Sequence, residues 1–202
     1  MTLRRKLLFS AMAVAVPAAL ATGIGAPAAF AGGSVNATGT VACTGVAGSA
    51  KFSPPLTTSG GSSETISVKV TLSSCNATGS NVTTSNFKGT GSGKLTTASS
   101  SCAGLAGTTA VSGTLPIKWT AKAGKSKVNN TSVTFTSVTG VAAGSNGNAG
   151  FTFSHQTSSG SFAGSVSGEV DSNESASALL SACGSKKGVK SLTLVAGHVS
   201  QP

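Results

Sequence analysis

Residues 64–75 read Glu-Thr-Ile-Ser-Val-Lys-Val-Thr-Leu-Ser-Ser-Cys, and the fold class follows from them. Ile66, Val68, Val70 and Leu72 alternate with Thr65, Ser67, Lys69, Thr71 and Ser73 without a break. A period of two gives one apolar row for a core and one polar row for water. The run ends on Cys75, so a strand and a covalent staple arrive together.

Upstream, Thr38 to Val46 is short and β-branched with Val41 and Cys43 in phase, which suits a first strand. Lys51-Phe52 is a small continuation, and Pro54-Pro55 is expected to end it because proline donates nothing to a ladder. If the first strand neighbours residues 64–75, a Cys43–Cys75 bridge closes a loop of about 33 residues and contributes roughly 3 to 4 kcal/mol.

Downstream, Asn76 to Asn81 is a turn, and Val82 to Thr97 reads as one strand or two halves meeting at Gly89, Gly91 and Gly93. Ser99 to Gly107 is a small-residue loop holding Cys102. Val111, Gly113, Leu115, Ile117 and Trp119 share a strand face, where Trp119 reads as a core anchor and Pro116 as the mark of an edge or a bulge. Thr131 to Thr139, Phe151 to Phe153, Gly160 to Val170 (Phe162, Val166 and Val170 inward) and Val189 to Val199 complete the strands. One segment breaks the rule. Ala176, Leu179, Leu180 and Cys183 fall on a helical face, with Ser172 or Asn173 as cap and Gly184 as stop. Cys183 sits on that stripe, placed to reach Cys102 in its loop. Of the three connectivities that four cysteines allow, Cys43–Cys75 with Cys102–Cys183 is favoured. The reading is an all-β domain, an antiparallel β-sandwich or flattened barrel of about eight to ten strands with one short helix near the C-terminus.

Residues 1–31 read as a secretion signal peptide: Arg4, Arg5 and Lys6, an apolar run from Leu7 to Ala21, and the small-x-small site Ala29-Phe30-Ala31. General secretion is favoured over twin-arginine export. That leaves 32–202 as a single β-domain, with four cysteines suited to an oxidising compartment. The expected location is extracellular, with association to the cell wall as the narrower form.

The formal net charge is +10, and the eleven cations beyond residue 31 are all Lys. Lysine is a hydrated point charge without the planar fork that reads phosphate or carboxylate specifically. The densest run, Lys118, Lys122, Lys125 and Lys127, reads as a solvated hairpin tip or as a contact patch for an anionic wall polymer or membrane surface. Aromatic platforms for nucleic acid are lacking.

Catalytic chemistry finds little material. Glu64, Glu169, Asp171 and Glu174 are the only carboxylates, and His155 and His198 the only histidines. Capping explains the cluster at 169–174, and neither H-E-x-x-H nor G-x-S-x-G occurs. The C-x-x-C spacing of redox motifs and zinc ribbons is also missing. No catalytic residue, metal or cofactor is expected, and the oligomeric state is not indicated.

Several stretches together, G-T-V-A-C-T-G-V, F-S-P-P-L, E-T-I-S-V-K-V-T-L-S-S-C, S-C-A-G-L and L-P-I-K-W, resemble small exported proteins of the high-GC Gram-positive bacteria, the actinobacteria. The resemblance spans most of Gly39 to Val199 and rests on strand and cysteine positions. It carries over no catalytic residue. A secreted, non-catalytic binding or structural module is the function it implies alongside the residues. A carrier of a small apolar ligand is the alternative, and a secreted hydrolase the least supported. A roomy pocket lined by Phe135, Phe151, Phe153 and Phe162 would favour the carrier, and a histidine bonded to an acid in a cleft the hydrolase.

Overall fold

A computed structural model describes residues 33–61 and 63–201; the expected signal peptide lies outside the described residues. In chain order the elements are β1 (Ser34–Val35), β2 (Thr40–Leu56), β3 (Glu64–Thr78), β4 (Phe87–Thr97) and β5 (Thr108–Trp119). After them come β6 (Lys122–Ala123), β7 (Ser126–Val128), β8 (Thr131–Val141), β9 (Gly150–Gly160) and β10 (Gly164–Ser172). The helix α1 (Ala176–Gly184) leads into β11 (Val189–Gln201). Eight strands close into one antiparallel barrel in the order β10-β11-β2-β3-β4-β5-β8-β9. The three shortest, β1, β7 and β6, form a separate small sheet.

The alternation of residues 64–75 is β3, paired to β2 on one side and β4 on the other. Leu72 is buried, and Ile66, Val68 and Val70 pack against the interior cluster, while Lys69 and Thr71 face solvent. The phase slips by one residue between Leu72 and Cys75, where the register with β4 shifts and Ser74 takes a φ of +52°. That bulge turns Cys75 inward against Cys43, its direct partner on β2. Bridges join Cys43 to Cys75 and Cys102 to Cys183, the pairing that strand adjacency and the helical stripe favour.

Several details depart from expectation. β2 runs through Pro54-Pro55 to Leu56. It can do so because its ladder with β3 ends at Ser53, and its register with β11 breaks between Lys51 and Leu56, so no partner misses the absent N–H groups. Pro116 lies inside the closed ring, paired to Ser132 on β8; its ladder with β4 is interrupted between Gly91–Ile117 and Lys94–Thr114. β4 starts only at Phe87, since residues 80–86 turn back to carry the β6–β7 hairpin through Thr83 and Thr84. Phe162 is in the turn before β10 rather than in a strand. A short 3-10 helix, Cys102–Leu105, replaces the expected loop. Ser175, not Ser172 or Asn173, caps α1, accepting from the Ala178 N–H. Ser172 is occupied otherwise, its hydroxyl donating to the carbonyls of Ala149 and Glu174. Gly184 is the last helical residue and Ser185 the C-cap. Of the predicted stripe, Leu179 and Cys183 are buried and Leu180 is 56% exposed.

The antiparallel order puts two different plugs on the barrel. At one end the rings of Phe87, Trp119 and Phe162 meet: Phe87 stacks on Phe162 at 6.2 Å, and Trp119 is edge-on to them at 5.7 and 5.5 Å. The Phe162 N–H donates to the Ala37 carbonyl and ties in the segment ahead of β2. At the other end α1 and the 3-10 helix, joined by Cys102–Cys183, bring Leu179 over Phe52, Leu56, Val189 and Leu192.

Candidate functional site

Between the plugs the barrel is not filled. A cavity of about 140 Å³ runs along its interior, lined by inward rows of the barrel strands. Val68 and Val70 of β3, Ile117 and Trp119 of β5, Phe135 of β8 and Phe153 of β9 are among its walls. Eight strands give a ring in which side chains either meet or leave room for one small ligand. Two sequence features leave room here. Val, short and branched, is the commonest inward residue, and β4 contributes Gly89, Gly91 and Gly93 to the same face. A Cβ at Gly91 would lie 2.5 Å from Ile117 Cδ1, and one at Gly89 2.6 Å from the Trp119 ring, so the large residues of β5 lean over bare β4 backbone.

The walls are almost wholly apolar. Thr131 and Gln201 are the polar lining residues, both toward the aromatic plug. Thr131 is already committed, accepting from Trp119 Nε1 at 2.8 Å and donating to the Ser161 carbonyl. Gln201 Nε2 donates to Ser158 Oγ. Trp119 is half-buried, a wall of the cavity as well as a core anchor. Phe135, Phe151 and Phe153 line the space as the carrier reading requires; Phe162 does not, being 0% exposed within the plug.

Glu64 belongs to this interior although no motif marks it. It stands on the inner row below Ile66, is 2% exposed, and its Oε1 has no hydrogen-bond partner. Burial raises its carboxyl from the usual 4.5 to about 7.

The other acidic residues do not converge on a reaction centre. Glu169 and Asp171 point outward from β10 into the loop 142–149. Ser145 N–H donates to Glu169, while Ser145 Oγ at 2.6 Å and Asn146 N–H at 3.1 Å donate to Asp171 Oδ2. Asp171 Oδ1 lies so close to Gly144 that a Cβ there would sit 1.9 Å away, and at 2.6 Å from a Cβ on Gly150. Asp171 Oδ1 itself has no hydrogen-bond partner, and glycine backbone rather than a donor lies against it. Gly144→Ala is expected to push this loop off its carboxylates and cost about 1 to 2 kcal/mol, read as a lower urea midpoint. Glu174 is exposed. His198 is exposed on β11 as the cross-strand neighbour of Glu169, and His155 is exposed in a β9 bulge at φ +54°. Among the described residues no group of three His, Cys, Asp or Glu could hold a metal ion.

Lys122, Lys125 and Lys127 lie together on the β6–β7 hairpin, where Lys122 pairs with Lys127, and Lys118 is on the outer face of β5 just before it. All four are exposed.

The site is defined as the apolar interior of a closed antiparallel barrel. Compared with known proteins, the chain matches no family model, no curated protein and no solved structure.

Proposed function

We propose that the chain is an exported, non-catalytic binding module of the kind its strand and cysteine motifs resemble, and that its barrel takes up one small apolar ligand. The apolar cavity of about 140 Å³ carries this reading. An internal space of roughly 150 Å³ lined by aliphatic and aromatic side chains stays dry and accepts a molecule of benzene's size. The matching ligand is therefore uncharged and compact, a single ring or a short branched chain. Two disulfides support an oxidising compartment, and no described helix is long and apolar enough to cross a membrane. The outer rows of the barrel, such as Ser67, Lys69 and Thr71, are polar, the reverse of a lipid-facing barrel. Non-catalytic action is supported by the acids near β10 being bound to the loop 142–149, with no hydrogen bond from His198 or His155 to a carboxylate among the described residues.

Trp119 is the single tryptophan and a wall of the cavity, so it reports on occupancy. Benzene is expected to shift Trp119 emission excited at 295 nm and to raise the thermal midpoint as its concentration grows. Val68→Phe, which extends a ring into the space, is expected to fold and to abolish both responses. If benzene moves neither signal, or moves both equally in Val68→Phe, the interior is not the binding site.

A further inference from the structure

The barrel closure sorts the charges in a way that the linear order hides. On the outer face of β2 to β5 stand Lys51, Lys69, Lys88, Lys94 and Lys118, all exposed. The continuing β6–β7 hairpin adds Lys122, Lys125 and Lys127. No carboxylate shares that face: Glu64, the only acid on these strands, is turned inward and buried. The far side, β8 to β10, has no lysine at all; Glu169 is partly exposed there, and Asp171 is buried beneath the loop 142–149.

The register places the lysines closely. Lys51 and Lys94 occupy one cross-strand row on either side of Ser67. Lys69 lies in the next row between Ser49 and Ser92. Strand spacing and rise put Lys69 about 8 Å from each of them, measured along the sheet. That is inside the screening length of about 10 Å at 0.1 M salt, so the charges add rather than act singly. Between them stand serine and threonine: Ser49, Ser67, Thr71, Thr90, Ser92 and Thr114.

We infer that the β2–β5 face with the β6–β7 hairpin is a docking surface for a linear polyanion of repeating, singly charged phosphate units without bases, such as a wall polymer of alcohol phosphate units. The face is convex, so a flexible chain can follow it, whereas a bilayer would touch it along a line. Among the described residues the exposed large apolar side chains, Leu180 on α1 and Val195 on β11, are both elsewhere, so this face offers none for insertion. The face has neither arginine nor an aromatic residue, which removes the forks and stacking platforms that bases require. Point charges with hydroxyls between them suit a repeating phosphate.

The test uses the folded domain and long-chain inorganic polyphosphate as probe, followed by titration calorimetry. Binding is expected to weaken with salt at a log–log slope of about −2 to −4, as for a few phosphate contacts. Lys69→Gln with Lys94→Gln is expected to weaken it at least about tenfold at low salt. The charge-matched control, Lys186→Gln with Lys187→Gln on the turn after α1, should leave it within about twofold. Circular dichroism and urea midpoints of both variants should match the parent, since these side chains are exposed. Equal losses in the two variants would reduce the effect to net charge and overturn the assignment. So would binding to vesicles of phosphatidylglycerol and phosphatidylcholine, or to single-stranded DNA, without binding to polyphosphate.

Discussion

Serine at both Cys102 and Cys183 is expected to lower the unfolding free energy by about 4 to 5 kcal/mol, the chain entropy of a large loop released into the unfolded state. The cysteines are 81 positions apart, and both are buried. The loss is also local. Leu179 and the bridge fasten α1 over the barrel, so without the bridge the amides from Ala178 to Cys183 should exchange with deuterium well before the barrel strands do. Serine at Cys43 and Cys75 should cost less. Their separation is 32, which by the same entropy gives roughly 3.7 kcal/mol, and β2 and β3 stay paired along nearly their whole length without the bond. Urea unfolding of the two double variants checks the order. A larger loss from Cys43 and Cys75 would contradict it.

Glu64→Gln should make the protein more stable at pH 8 by about 2 to 3 kcal/mol, while changing it little at pH 4.5. The sign follows from the raised carboxyl. Its unfolded value is 4.5 and its folded value about 7, so between these the folded chain keeps a proton that the unfolded chain gives up. The stability that this proton contributes is full below pH 4.5, falls as pH rises and is gone above pH 7. The interval from 4.5 to about 7 sets an upper bound of roughly 3 kcal/mol. Glutamine is neutral throughout, so its stability should be flatter with pH. The amide meets the same partnerless surroundings as Oε1, which trims the gain. Urea midpoints of parent and variant at both pH values decide it. A variant that loses as much stability as the parent between pH 4.5 and 8 would show that Glu64 does not titrate as described.

Glu64 also shows how far the sequence could be read. The parity that sets Ile66, Val68 and Val70 inward sets Glu64 inward too, although a carboxylate beside a Gly/Ser turn equally fits a solvated strand end. The class of fold was legible because alternation is local, and neighbouring alternating runs imply an antiparallel sheet. Barrel rather than sandwich was not legible, because closure depends on β11 meeting β2, which no single run encodes. The cavity was half legible. Phe135, Phe151 and Phe153 could be placed on an inner face, but empty volume is a difference between a ring's diameter and eight rows of side chains. Proline at 54, 55 and 116 misled for a related reason: its cost depends on whether a partner stands opposite, and here the ladders break at those positions.

Ring closure also sets the order in which this protein can form. Hairpins such as β2–β3 and β3–β4 join near neighbours and can assemble early, but the seam between β2 and β11 brings Val41 to Gln201 from opposite ends of the domain. Contacts so distant along the chain are entropically slow to nucleate. Until β11 arrives, β2 and β10 each keep an open hydrogen-bonding flank, and the Val, Thr and Ser runs that line them are good templates for pairing with another chain. The slow step and the hazardous interval are thus the same event, and crowding of unfinished copies is the condition under which this barrel should fail.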